Sequence, residues 1–349
     1  MMNIFQMTAS YSKGDAIGNY IITLKRIFQN YGFGTEVFSD IGMNSVHSSK
    51  YIPTGKDILW FHYSIYSDNI KYLEIGIDKK IMDFHGVTPP YLFAGINAEM
   101  EILCRKGNDL LGRYVDSVDL CVVHSEYSRS VLEKNGYKNI VKLPLVVDTS
   151  RLAKIPDDIY LSKLLKKLKY VLFVGRIVPQ KSIKNIIESF FYLKKSHPGY
   201  KLFLIGDYNI SVEYTLEIFR LIEKLGLSND IVLTGKLDDI GLTTFYKYAS
   251  LFIILSEWET FCVPLIESMY YQVPIVARNG TAIPEILGDA GVLVNDADPM
   301  NIALEIGDLL NDKERYESLK LRCSSRAELY TECELEGKLE KLLNILKTG

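Results

Sequence analysis

Short apolar runs rich in Val, Ile, Leu and Phe alternate along this chain with longer stretches whose apolar residues recur at helical spacing. That alternation predicts βαβ units and a parallel, doubly wound sheet. In the first half, strands are expected at Asn3–Met7, Thr35–Ser39, Asp57–His62, Lys80–Phe84, Asp119–His124 and Ile140–Pro144. In the second half they are expected at Lys169–Gly175, Tyr200–Gly206, Asp230–Gly235, Leu251–Ser256, Pro274–Ala277 and Val292–Val294. Runs such as YVLFVG and LFIIL are apolar throughout, as strands covered on both faces should be.

The pattern pauses between Pro144 and Lys169, which places a domain junction there. The expected organisation is an N-terminal Rossmann-like domain over residues 1–150, a linker over 151–168 and a second Rossmann-like domain over 169–325. A C-terminal helix over 326–349 would pack back on the first domain. A cleft is expected between the two domains, and ligands of open α/β sheets bind beyond the carboxyl ends of the strands. Gly175, Gly206, Gly235 and Ser256 stand at that edge in the second half. The basic segment LSKLLKKLKY fits either a membrane-surface helix or a solvated linker helix.

A chain of 349 residues with 48% hydrophobic and 24% charged positions suits two ordinary globular domains. A net charge of −3 gives no reason to expect a nucleic-acid partner. No apolar run reaches the ~18 residues of a membrane span. The amino terminus lacks the basic start and cleavage site of a secretory signal. The five cysteines are scattered, without metal-ligand spacing. A reducing, cytoplasmic location is expected, with peripheral contact at the inner membrane face as an added option.

The segment LSEWETFCVPLIESMYYQVPIVA carries the most chemistry. Pro264 suits the first turn of a helix, so Glu267 falls in that turn and Glu259 in the preceding loop. Neither Cys262 nor Val263 is a good N-cap, which leaves first-turn amides for an anion such as a diphosphate. The two carboxylates can accept bonds from vicinal sugar hydroxyls. In FVGRIVPQKS, Arg176 and Lys181 follow a strand and can stabilise a departing diphosphate, a task done elsewhere by a metal ion. In SKGDAIGN, Gly14 and Gly18 fit a tight turn or a close backbone approach to phosphate. No G-x-G-x-x-G occurs, which argues against a nicotinamide dinucleotide. In DFHGVTPP, His85 ends a strand and is expected to face the cleft; His62 ranks behind it, and His124 is expected to pack or to cap the next helix.

ETFCVPLIESM resembles the E-x7-E element of retaining glycosyltransferase family 4, and FVGRIVPQKS is similar to its Gly-Arg…Lys loop. NGTAIPEIL resembles the family's segment ending in Pro-Glu; FHGVTPP and GDAIGN resemble amino-terminal elements of members that assemble polysaccharides and glycans. The resemblance implies a GT-B fold and a donor that is a GDP- or UDP-linked sugar of mannose or glucose type. It implies a glycan or lipid-linked acceptor, and transfer with retention and without a metal or other cofactor. By the same pattern Glu267 would bind ribose and Glu259 the transferred sugar. Arg176, Lys181 and the amides near Cys262 and Val263 would hold the diphosphate, joined by Gly14 and Gly18. His85 would sit beside the reacting carbon. The adjacent pairs Asp157–Asp158 and Asp238–Asp239 are not an Asp-x-Asp metal motif. Thr260 and Cys262 stand where the family carries glycines, and Ser268 where it carries alanine. Thr260 and Cys262 motivate one alternative, a non-catalytic subunit that binds a nucleotide or partner in a glycan-assembly complex; a sugar-nucleotide epimerase is a further alternative.

Overall fold

The computed structural model describes residues 2–12, 14–42, 44–295 and 298–348. Lys13, within the Ser12–Asn19 segment, lies outside the described residues. The chain divides into two compact units, residues 1–146 with 332–349, and residues 147–331. Among the described residues no helix is long and apolar enough to cross a membrane.

The first unit is built on a seven-stranded parallel sheet. Its strands are β1 (Asn3–Ser10), β2 (Gly34–Ile41), β3 (Val46–His47), β4 (Ile58–Tyr63), β5 (Lys79–Phe84), β6 (Leu120–Val123) and β7 (Ile140–Lys142). They lie in the order β3-β2-β1-β4-β5-β6-β7, so the direction of winding reverses between β1 and β4. Successive side chains of a strand point to opposite faces. One face carries Met7, Leu59, Phe61, Met82 and Phe84 into an apolar core. The other carries Gln6, Trp60, His62 and Asp83, all buried, beneath the Ala16–Asn30 helix. That helix stacks Phe28 on Trp60 and presents the Tyr20 ring to His62. The last helix, Glu332–Thr348, belongs to this unit and pairs Glu332 with Arg26.

The second unit has a six-stranded parallel sheet. Its strands are β8 (Lys169–Val174), β9 (Tyr200–Ile205), β10 (Ile231–Gly235), β11 (Leu251–Ile254), β12 (Ile275–Arg278) and β13 (Val292–Val294), in the order β10-β9-β8-β11-β12-β13. The reversal falls between β8 and β11, which pair directly. Residues 151–168 lie inside this unit and hold the short helices Thr149–Leu152 and Ile159–Leu165. The latter covers half of the basic segment, its Asp158 capping the first turn through Tyr160 and Leu161 amides. Each strand expected from the apolar runs is present with ends within three residues of those expected; the added one is the two-residue edge strand β3.

Candidate functional site

The carboxyl ends of β8 and β11 open onto the point where the second sheet reverses, the usual ligand position in a doubly wound sheet. Two loops meet there. The loop after β8 turns at Gly175 and runs through Arg176 to a single helical turn at Pro179–Lys181. The loop after β11 runs through Glu257 and Glu259 to the Val263–Tyr270 helix. The amide of Glu257 donates to the Gln180 carbonyl at 2.9 Å, which ties the loops together. Ser182 Oγ adds a bond to Glu257 Oε1 at 3.3 Å.

Lys181 and Glu259 form an ion pair across this junction, both side chains about nine-tenths buried. The Glu259 backbone is held by the segment after β12. Its amide donates to Thr281 Oγ1 at 3.1 Å, and its carbonyl accepts from the Ala282 amide at 3.2 Å. The Asn279–Leu287 motif therefore supports the Glu259 loop from behind. Arg176 is exposed, and among the described residues no ion pair engages its guanidinium.

Pro264 sits in the first turn of the Val263–Tyr270 helix, and no side chain caps that turn. Cys262 occupies the N-cap position with φ of 91°, a left-handed backbone that favours glycine. This accounts for glycine at that position in the resembled pattern; at Thr260 the backbone stays outside the left-handed region. Ser182 (φ 52°) and Thr281 (φ 52°) share the left-handed backbone, so three of the four such non-glycine residues described surround the Lys181–Glu259 pair. Strained backbone of this kind collects where the surrounding structure holds a site in place. Burial raises the Cys262 thiol far above its usual range; the Glu259 charge adds to the rise and the Lys181 charge opposes it. Glu267 lies beyond the first turn of this helix, not within it as the sequence suggested, and its charge still reaches the same thiol.

Glu267 accepts a hydrogen bond from the Tyr246 hydroxyl at 2.8 Å. Burial pushes its carboxyl upward, while Tyr246 and the Arg151 charge pull it down. Tyr246 stacks on Tyr271 with ring centroids 5.6 Å apart. Sequence reasoning missed Tyr246, Arg151 and Gln180. Tyr246 lies mid-helix in Asp239–Tyr248, and its spacing from Glu267 carries no local signal.

In the first unit, Gly14 has φ of 94°, and its amide donates to Asn19 Oδ1 at 3.1 Å. A Cβ on Gly18 would lie 1.9 Å from the Ser12 carbonyl oxygen. The Gly18 amide donates to Asp15, the N-cap of the Ala16–Asn30 helix, at 2.6 Å. Both glycines thus serve the tight turn, and the amides that phosphate contact would use are bonded within it.

His85, expected from its strand-end position to face the cleft, is enclosed within the first unit. Its side chain is 4% exposed, and its Nε2 lies 2.9 Å from His62 Nδ1. The reason is the pleat: Asp83 and His85 are two residues apart, so both turn to the face covered by the Ala16–Asn30 helix. His124 joins the same buried group, its Nε2 2.9 Å from Asp83 Oδ1, and packs there; the next helix is capped by Ser125.

Residues 159–325 match the family model for glycosyl transferases group 1. The O-antigen chain mannosyltransferase B of Escherichia coli is 25% identical over 250 residues, a match spanning 69% of this chain and 64% of that protein. The chain thus spans less than two thirds of that relative's own length. Sucrose-phosphate synthase from Thermosynechococcus elongatus superposes over the whole of both chains with a TM-score of 0.80 at 15% identity. Anabaena HepE, solved with UDP and glucose, covers 99% of this chain and all of its own, with a TM-score of 0.74 at 16% identity. The chain has the two-unit Rossmann-like architecture seen in these GT-B structures, and its match to the glycosyl transferases group 1 model lies in the second unit.

Proposed function

We propose that the chain is a retaining hexosyltransferase of family 4 type that uses a nucleoside-diphosphate sugar. The observation that carries this reading is the meeting of Lys181 and Glu259 at the uncapped start of the Val263–Tyr270 helix, with Glu267 on the same helix, at the reversal point of the second sheet. First-turn amides and a cation meet the diphosphate; two carboxylates meet hydroxyls on either side of it.

In this reading Lys181 and the exposed Arg176 take up charge on the diphosphate oxygens as the bond to the sugar C1 breaks. The acceptor oxygen bonds to C1 on the same face, and its proton leaves with the departing diphosphate. Glu259 holds sugar hydroxyls and Glu267 the ribose. No metal is required at the diphosphate, because the amides and the two basic side chains supply the positive field. Gly14 and Gly18 act by shaping the turn that opens the Ala16–Asn30 helix. His85 acts as a buried positioning residue, since its Nε2 is engaged with His62.

The mannosyltransferase name of the E. coli relative and the UDP and glucose bound to HepE support a mannose- or glucose-type donor, GDP- or UDP-linked. The acceptor is then a glycan or lipid-linked hydroxyl, reached by a cytoplasmic protein with peripheral membrane contact. Titration calorimetry with GDP-mannose and UDP-glucose, followed by NMR of the product anomer, tests the reading. Binding plus transfer with retained configuration is expected. Full transfer by both Lys181→Ala and Glu267→Ala variants overturns it. Tight binding without turnover points instead to a non-catalytic subunit, for which the side chain at Cys262 in a glycine-type backbone is the motivating feature. Conversion of donor alone points to an epimerase.

A further inference from the structure

The buried polar group of the first unit, to which the transfer reading gives no step at the diphosphate, has a geometry of its own. Three adjacent parallel strands bring it together. His62 on β4 is the register partner of Asp83 on β5, His85 follows β5, and His124 follows β6. The side chains of His62, Asp83 and His124 are 0–1% exposed, and that of His85 is 4% exposed.

Their ligand-type atoms converge. His62 Nδ1 lies 2.9 Å from His85 Nε2 and 3.7 Å from Asp83 Oδ2. His85 Nε2 lies 3.7 Å from Asp83 Oδ1, and His124 Nε2 lies 2.9 Å from the same oxygen. A tetrahedral zinc with bonds of about 2.0–2.1 Å has neighbouring ligand atoms about 3.3 Å apart. The separations among His62, His85 and Asp83 bracket that edge length, and these three residues each offer a ligand atom within 4.8 Å of the others.

The outer contacts fix which nitrogens point inward. Gln6 Nε2 donates to the Ile21 carbonyl at 3.1 Å, which turns Gln6 Oε1 toward His62 Nε2, also at 3.1 Å. His62 must then donate from Nε2, and its Nδ1 is left as a lone pair facing the group. His124 Nδ1 donates to the Leu143 carbonyl at 2.8 Å, which directs the Nε2 side of that ring at Asp83. Asp83 Oδ2 accepts from Trp60 Nε1 at 2.7 Å, leaving Oδ1 turned inward. Metal-bound histidines are held in this manner, each outer N–H on a carbonyl or carboxamide oxygen. Tyr20 adds a separate observation. It is 2% exposed, its ring edge lies against all three histidines, and among the described residues its hydroxyl has no hydrogen-bond partner.

We propose that the first unit binds a divalent transition-metal ion of the zinc class through His62 Nδ1, Asp83 and His85 Nε2, with His124 holding the Asp83 carboxylate from outside. The ion joins the carboxyl ends of β4 and β5, compensates the fully buried Asp83 charge, and leaves the Tyr20 hydroxyl beside the coordination sphere. Its role is to hold these strand ends in register. It takes no part in the diphosphate chemistry and does not depend on that assignment.

The test uses the full chain, produced without a metal-affinity tag and kept free of nucleotide. Elemental analysis after dialysis against trace zinc is expected to give about one equivalent per chain. Cobalt substitution is expected to give the intense visible bands of a four-coordinate ion. Zinc should raise the melting temperature by mass action. Asp83→Asn and His62→Gln should weaken metal affinity at least ~10-fold, while His197→Gln leaves it unchanged. Should those variants fail to fold, the nitrogen-15 shifts of the wild-type histidines decide the matter. Metal-shifted His62 Nδ1 and His85 Nε2 support the site. Absence of stoichiometric zinc or cobalt overturns it, as does a proton retained between His62 Nδ1 and His85 Nε2 in excess zinc, which identifies a metal-free hydrogen bond.

Discussion

Lys181 and Glu259 are joined by an ion pair that links the loops after two adjacent strands, β8 and β11, with both side chains nearly buried. Removing one partner strands the other charge, which is costlier than the pair itself is stabilising. Lys181→Ala and Glu259→Gln are each expected to lower kcat/KM by about 100-fold, the loss of one charge-assisted contact with its orientation. A double-mutant cycle on transfer rates measures the coupling. Strict additivity of the two losses would show that the pair does not act as a unit.

The left-handed backbone of Cys262 gives a second expectation. Cys262→Gly relieves strain and loses a small buried thiol, so its stability should stay within about 1 kcal/mol of the parent. Cys262→Val places a β-branched side chain at φ of 91° and should cost about 2 kcal/mol or more. Urea unfolding midpoints of the two variants check this, and a valine variant as stable as the parent contradicts it.

Glu267 predicts a pH dependence. Burial raises its carboxyl in the folded state above the unfolded value of about 4.3. Between those two values the folded chain binds more protons, so its contribution to stability is present at low pH and lost as pH rises through the folded value. Glu267→Gln keeps an acceptor for Tyr246 and removes that loss. The variant should match the parent near pH 4 and exceed it in urea midpoint at pH 8. Lower stability than the parent at pH 8 contradicts the assignment. Loss of the charge-assisted contact should weaken donor binding by about 10- to 100-fold in Glu267→Ala.

Gly206 sits where β9 ends against the loop after β8. A Cβ there would lie 1.9 Å from the Gly175 carbonyl oxygen and 3.3 Å from the Arg176 amide. Gly206→Ala is expected to cost about 1–3 kcal/mol and to weaken donor binding by displacing the Arg176 loop. Gly199→Ala, with open space around its Cβ position, should stay within about 0.5 kcal/mol. Thermal unfolding and calorimetry of both variants separate a local displacement from a general loss of fold.

The apolar runs of this chain were enough to locate its parallel strands, because a strand covered on both faces must be apolar over consecutive residues wherever it lies. The start of the Val263–Tyr270 helix was equally legible, since Pro264 and the poor caps before it act within one turn. Side-chain direction and partnership were not legible. His85 reads as a strand-end histidine facing the cleft, yet the pleat turns it inward beside Asp83. His62, Asp83 and His124 become neighbours only because β4, β5 and β6 lie side by side, and Tyr246 meets Glu267 only because a separate helix packs near it. Local spacing determines which residues form an element. The order of strands in a sheet is settled by burial of the whole unit, and it alone decides which distant polar groups share one enclosed space.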